Sequence, residues 1–239
     1  MNIWTPQLKR LRGGLIASCQ PVRGGPLDQP EMVAALARAV ELGGAVGLRL
    51  EGLPDLKAVR PHTDLPIIGL VKREVAGTEV YITPEIEDIH DLSQAGADII
   101  AFDATLRSRP LEVGVMVEAI HAAGKCVMAD VSTLEEGLNA FECGADLIGT
   151  TLSGYTPYSR QQEGPDLELV SQLSKRGVTT LAEGRIYSPE EALRALEYGA
   201  FAVTVGSALT RLEHLTARYV RALSEFRLKA RPLEGHHAD

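Results

Sequence analysis

Aromatic residues are scarce in this chain: four Phe, six Tyr and one Trp make up 5% of 239 residues, while apolar residues as a whole reach 45%. A core with so few rings has to be assembled from Ala, Val, Leu and Ile, the composition of strands buried on both faces. Cysteine is scarce too. Cys19, Cys126 and Cys143 are odd in number, fall in predicted strands or at a helix end, and lack metal-ligand spacing. They predict neither a disulfide framework nor a zinc site, but a reducing, cytoplasmic setting. No run approaches the ~20 apolar residues of a membrane span. Ile16-Ala17-Ser18-Cys19 has the look of a lipoprotein cleavage box behind Lys9-Arg10-Leu11-Arg12. The apolar stretch before Cys19 falls short of the ~7–15 residues of a signal core, so export is not expected. Positive charge is also short, 24 Lys+Arg against 32 Asp+Glu for a formal net charge of −8. That field argues against nucleic acid or anionic membrane as a partner and requires any bound phosphate to be held by local donors.

No Pro/Gly/Ser-rich linker divides the chain, which predicts one domain over residues 1–230 and a polar, disordered tail over 231–239. Within that domain eight short apolar runs recur, and most end in a polar or charged residue. They are Gly14–Cys19 (then Gln20), Ala45–Arg49, Ile67–Lys72, Ile99–Asp103, Cys126–Asp130, Leu147–Thr151, Thr179–Glu183 and Ala202–Ser207. A charge at the end of a buried strand costs several kcal/mol of desolvation unless something pairs with it. A ring of such ends on one side is how a (β/α)8 barrel builds a site at its mouth.

Helical patterns lie between the runs. Met32, Ala35, Leu36, Ala39 and Val40 have the spacing of a one-sided helix. Ser188-Pro189-Glu190-Glu191 and Thr133 with Glu136 read as capping boxes, and Thr83-Pro84 as a further helix start. Gly96, Gly144 and Gly199 stand where helices should end. These glycines belong to a repeat: Leu42-Gly43-Gly44-Ala45, Ala95-Gly96-Ala97-Asp98, Cys143-Gly144-Ala145-Asp146 and Tyr198-Gly199-Ala200-Phe201 each precede an even-numbered strand. Their spacing of about fifty residues is two βα units, and four copies suit a barrel of quarter repeats. A doubly wound open sheet, the rival α/β architecture, demands no such fourfold pattern.

Lys72 closes the third run at the predicted mouth, where burial would lower its pKa and supply a neutral amine; a lysine there could equally snorkel to solvent. Glu183 ends the seventh run, four strands away on the opposite wall, able to pair with the ammonium, hold a hydroxyl or form an ion pair with Arg185. Arg49 suits an oxygen that turns negative during reaction. Asp103 and Asp130 suit sugar hydroxyls or the orientation of Lys72, or serve as helix caps. Gly184, Arg185, Gly206 and Ser207 lie in the glycine turns after strands seven and eight, where barrels commonly bind phosphate. None of His62, His90, His121, His214, His236 and His237 ends a strand, so neither a metal centre nor a histidine base is expected.

Several segments then carry a family likeness. Ser18-Cys19-Gln20, Ile68-Gly69-Leu70-Val71-Lys72-Arg73, Tyr81-Ile82-Thr83-Pro84, Asp103-Ala104-Thr105, Met128 through Glu136 and Gly149-Thr150-Thr151-Leu152-Ser153-Gly154-Tyr155-Thr156-Pro157-Tyr158 resemble the N-acylglucosamine-6-phosphate 2-epimerases. The resemblance runs from about Gly13 to Arg211. It implies a cytoplasmic, cofactor-independent barrel enzyme of amino-sugar catabolism that inverts C2 of an N-acylated hexosamine 6-phosphate. Its pattern implies Lys72 as the catalytic lysine and Glu183 as partner carboxylate. It places Gln20, Arg49 and Asp130 around the sugar, and Gly184, Arg185, Gly206, Ser207 and Arg211 at the phosphate; Asp103 and Thr150 are further candidates for substrate binding. Two departures stand out: Pro21-Val22-Arg23-Gly24-Gly25 replaces a stretch that usually carries an acidic residue, and Leu212 a proline. A class I aldolase using Lys72 as a Schiff base and a non-catalytic phosphosugar-binding regulator are the other readings. The oligomeric state stays open, a homodimer being one option.

Overall fold

In the computed structural model, which describes residues 5–229, strands and helices alternate through the chain. The order is α1 (Pro6–Leu11), β1 (Leu15–Ser18), α2 (Pro30–Leu42), β2 (Gly47–Glu51), α3 (Leu53–Val59), β3 (Ile67–Leu70), α4 (Ile86–Gln94), β4 (Ile99–Asp103) and α5 (Val113–Ala122). It continues through β5 (Cys126–Asp130), α6 (Leu134–Glu142), β6 (Leu147–Gly149), α7 (Leu167–Ser174), β7 (Thr180–Glu183), α8 (Pro189–Glu197), β8 (Ala202–Val205), α9 (Ser207–Thr210) and α10 (Leu212–Lys229). The eight strands are parallel and close into a barrel in chain order, with β8 pairing back onto β1. This is the (β/α)8 barrel predicted above.

The glycine repeat is visible as a structural repeat. Gly44, Gly96, Gly144 and Gly199 follow the caps of α2, α4, α6 and α8 with φ of 97°, 99°, 98° and 98°. That left-handed conformation is cheap for glycine and costs any other residue on the order of 1 kcal/mol. The next N–H then bonds back five residues, Ala45 to Val40, Ala97 to Leu92, Ala145 to Ala140 and Ala200 to Ala195, ending each helix in the same motif. In two copies the following aspartate also fixes the adjacent strand: Asp98 accepts from the Ile67 N–H at 2.9 Å and Asp146 from the Val127 N–H at 2.8 Å.

Strand alternation divides the apolar residues. Ile16, Ile68, Leu70, Ile99, Ala101, Met128, Leu147, Leu181 and Ala202 fill the barrel interior, and Leu8 and Leu11 of α1 join them at the end where the strands begin. The opposite parity, including Ala17, Leu48, Leu50, Ile67, Ile100, Phe102, Val127 and Ile148, packs under the helices. Each such aliphatic side chain contributes about 1.5–3 kcal/mol by burial, so the barrel holds together without an aromatic core.

Some boundaries differ from those predicted. β2 starts at Gly47 and runs on to Glu51, and β3 stops at Leu70, leaving Lys72 to pair with Ile82 in an isolated antiparallel bridge. Thr151 lies in a 3-10 turn and Ser207 in α9. Both capping boxes form, but the cap of α4 is Glu85. Thr83 takes a positive φ of 45° instead, its hydroxyl donating to Ala101 O at 2.6 Å. The buried stripe of α2 is Val33, Leu36, Ala37 and Val40, whereas Met32 is 45% exposed. The expected tail, with His236 and His237, lies outside the described residues.

Candidate active site

The inward parity that ends in apolar residues at the bottom of the barrel ends in charge at the top. Arg49 of β2, buried to 1%, spans the mouth, its Nη1 and Nη2 donating to Asp130 Oδ1 and Oδ2 of β5 at 3.1 and 2.6 Å and Nη1 also to Glu183 Oε2 of β7 at 2.7 Å. Thr151 donates a further 2.6 Å hydrogen bond to Asp130 Oδ1. Thr150 fixes the other carboxylate's backbone, donating to Glu183 O at 2.9 Å and accepting from its N–H at 3.1 Å. Burial alone would lower the pKa of Arg49, but the charges of Asp130 and Glu183 outweigh it and hold the guanidinium firmly protonated. Glu183 is pushed up to about 7, chiefly by burial, with Asp130 adding and Arg49 and Lys72 opposing.

Lys72 takes different partners from those expected. Its Nζ donates to Gln20 Oε1 at 2.6 Å and stands 3.0 Å from Glu51 Oε2, with neither Asp103 nor Glu183 among its partners within hydrogen-bond distance. Burial lowers its pKa below that of an ordinary lysine; Glu51 resists, while Arg49 and Arg211 add to the fall. Gln20 is oriented by Ser18, whose hydroxyl accepts from Nε2 at 2.9 Å, and by Arg211, whose Nε donates to Gln20 O at 2.8 Å. Glu51 is the residue that sequence reasoning missed. The signal was parity: Arg49 and Glu51 lie two apart on one strand and share a face.

These groups border a cavity of about 270 Å³ whose lining includes Gln20, Arg49, Lys72 and Glu183 together with Gly184, Arg185, Gly206, Ser207 and Arg211. Ser18, Tyr81, Thr151, Tyr155, Tyr187 and Thr204 complete the polar lining, none of them among the site residues predicted above. A second hollow of about 890 Å³ shares Lys72, Tyr81 and Arg211 with it. Arg185 has a positive φ of 56° beside Gly184 at 104°. Its guanidinium donates to Ser153 O at 2.5 Å and Gly164 O at 2.9 Å and lies over the Tyr155 ring at 5.4 Å. Two buried polar atoms of this lining, Arg49 Nε and Thr204 Oγ1, have no protein partner, as expected of groups that meet a ligand.

Three predicted site residues stand behind the lining. Asp130 and Thr150 hold Arg49 and Glu183 as described. Asp103 turns to its own loop, accepting from the Thr105 hydroxyl at 2.7 Å, the Thr105 N–H at 3.0 Å and Arg107 Nη2 at 2.5 Å. Here its work is that of a loop acceptor, and it touches neither Lys72 nor the cavity.

A closed parallel barrel with a cationic and carboxylate cluster over a polar cavity, at the ends where its strands finish, defines a barrel enzyme for a small polar substrate. Residues 33–225 match the family described as "Putative N-acetylmannosamine-6-phosphate epimerase", and the chain belongs to that family. It is 51% identical over 211 residues to the "Putative N-acetylmannosamine-6-phosphate 2-epimerase 1" of Salmonella typhimurium, covering 88% of this chain and 93% of the relative. It is 53% identical over 216 residues to the "Putative N-acetylmannosamine-6-phosphate 2-epimerase" of Yersinia pestis, covering 90% and 92%. The solved N-acetylmannosamine-6-phosphate 2-epimerase from Clostridium perfringens superposes with a TM-score of 0.89 at 40% identity, over 93% of this chain and 98% of that one.

Proposed function

We propose that the protein interconverts N-acetylmannosamine 6-phosphate and N-acetylglucosamine 6-phosphate by moving the proton on C2. Family membership along nearly the whole chain supports the substrate. The observation that carries the mechanism is a lysine amine, its pKa lowered by burial, facing a cavity that Arg49 and Glu183 also line.

With the sugar open to its C1 aldehyde, the C2–H is acidic and no redox step is needed. Neutral Lys72 takes the C2 proton, the C–H electron pair enters the C1–C2 bond, and the carbonyl oxygen becomes an enolate. Arg49, fixed and permanently charged, stabilises that oxygen. Glu183, protonated over part of its range near neutrality, stands on the opposite wall and returns a proton to the other face of C2. Gln20 orients the amine, and Asp130 and Thr150 hold the charged framework. The rim of Gly184, Arg185, Gly206, Ser207 and Arg211 takes the phosphate, whose binding energy serves to orient the reacting carbon.

The test is incubation with N-acetylmannosamine 6-phosphate in deuterated water, following C2 by NMR. Deuterium should enter C2 as the second epimer forms; epimer without deuterium at C2 would sink the solvent-exchanging mechanism. A borohydride-trapped substrate adduct on Lys72 would favour a Schiff base instead.

The finer expectations stand as proposals too. α10 presents Tyr219, Val220, Leu223 and Phe226, each more than half exposed, which supports a homodimer through this helix. Light scattering should then give twice the mass of one chain, and a monomer at micromolar concentration would refute it. The free cysteines support a cytoplasmic setting, and the net charge of −8 supports the absence of a nucleic-acid partner.

A further inference from the structure

We propose that Glu51 is a positioning residue that sets the charge state of Lys72, and that Arg23 sets how strongly Glu51 does so. The inference rests on the reading of Lys72 as the base. Glu51 divides its two oxygens: Oε2 stands 3.0 Å from Lys72 Nζ, and Oε1 accepts from Arg23 Nη2 at 2.6 Å. Its place at the end of β2, with the parity of Arg49, makes it a wall residue of the mouth. Arg23 reaches it from the loop between β1 and α2, within the Pro21-Val22-Arg23-Gly24-Gly25 segment that departs from the family pattern. The two cations sit differently, the Arg23 side chain 77% exposed and the Lys72 side chain 28%.

A carboxylate touching an amine favours its ammonium form, and a guanidinium on the other carboxylate oxygen offsets part of that field. Lys72 meets several other groups. Arg49 on β2 and Arg211 after α9 disfavour its charge, Glu183 on β7 favours it from across the cavity, and Gln20 accepts a hydrogen bond from it without carrying charge. Tyr81, Arg73, Glu74, Glu79 and His214 border the hollow outside it. Asp55 on α3 faces Glu51 as a like charge. Among the described residues Glu51 is the one anion within salt-bridge distance of Lys72. Without Glu51 the amine would stand near two arginines, its charged state after proton transfer poorly stabilised. With Glu51 and no Arg23, the ammonium would be held more firmly and the neutral base would form only at higher pH. The shared carboxylate sets the amine between these extremes.

The test is the pH dependence of kcat/KM for C2 exchange in wild type, Glu51→Gln, Arg23→Ala and Arg23→Lys. For a base that acts when neutral, the rate falls as pH drops through its pKa. Glu51→Gln should move that acidic limb down by about one pH unit, and Arg23→Ala should move it up by a similar or smaller step. Arg23→Lys, which keeps the charge, should stay with wild type. Opposite displacements are what loss of packing alone would not produce; limbs that move together, or stay in place, overturn the proposal. If Glu51→Gln fails to fold, the exposed Arg23 decides, and a wild-type limb in Arg23→Ala overturns it. Lys72→Ala separates the two readings. Exchange persisting near the wild-type rate would remove the base and this inference with it, whereas lost exchange with unmoved limbs would remove only the roles of Glu51 and Arg23.

Discussion

Two charged clusters share one barrel mouth and are built in opposite ways. Arg49, Asp130 and Glu183 have side chains 1%, 0% and 13% exposed, and three hydrogen bonds lock the guanidinium to both carboxylates. Lys72, Glu51 and Arg23 have side chains 28%, 22% and 77% exposed, and their contacts are single and exchangeable. A buried ion cluster is tolerable only when its members satisfy one another, so its geometry is fixed. A partly solvated pair can gain or lose a proton without stranding a partner. The first cluster therefore suits fixed geometry, with Arg49 a constant charge for a developing negative oxygen and Glu183 a proton donor held in place, and the second suits an amine whose charge must change.

The comparison breaks most plainly in a pair of alanine variants. Lys72→Ala should reduce C2 exchange by at least ~10²–10⁴-fold, the usual contribution of a positioned base, while stability changes by no more than about 1 kcal/mol, the worth of a partly solvated ion pair. Asp130→Ala should lose activity and also about 3–5 kcal/mol of stability, because Arg49 is left buried without its bidentate partner. Thermal melts beside exchange assays decide it; an equal loss of stability in the two variants would mean that both clusters are structural.

Glu183→Gln is the next largest effect and tests the fixed cluster from within. It keeps the shape, removes the transferable proton, and should lower kcat by about 10²-fold. It should also alter stability with pH. The folded pKa of Glu183, about 7, exceeds its unfolded value of about 4.3, so between these values the folded state holds a proton that the unfolded state has lost. The contribution of Glu183 to stability therefore falls as pH rises through that window. The Tm of the Gln variant should gain on wild type from about pH 4 to about pH 7, and parallel curves would show that Glu183 is not raised.

The fold was legible because its signals are local and repeated. The Gly44, Gly96, Gly144 and Gly199 copies mark helix ends that only a left-handed residue makes cheaply, and Thr133/Glu136 and Ser188/Glu191 mark the starts of α6 and α8. Arg49, Lys72 and Glu183 were legible as strand-end charges, all of which line the cavity. Their pairing was not, because partners such as Glu51 for Lys72, or Asp130 for Arg49, are chosen by barrel closure and side-chain length and not by spacing in the chain. Asp103 shows the limit: its position matches the others, but Thr105 and Arg107, two and four residues on, capture it. The α2 stripe was displaced because Met32, Ala35 and Ala39 fit a helical period that Val33 and Ala37 fit as well, and only packing against the strands selects between them.

The smallest effect predicted lies away from both clusters and asks how far the phosphate end is independent of them. Gly154 has φ of 78°, and a Cβ there would stand 2.2 Å from Arg185 Nη1. Gly154→Ala should therefore cost about 1 kcal/mol of backbone strain and push the guanidinium off its Ser153 and Gly164 carbonyls. A displaced Arg185 should weaken the proposed charge-assisted contact to the phosphate, one made in ground state and transition state alike, so KM should rise by about 10-fold with kcat within about twofold of wild type. The pH limb assigned to Lys72 should not move, since no group near the amine has changed. A fall in kcat approaching that of Glu183→Gln would tie the proposed phosphate rim to the Arg49–Glu183 framework through the Thr150–Ser153 turn, and rim and framework would then have to be treated as one unit.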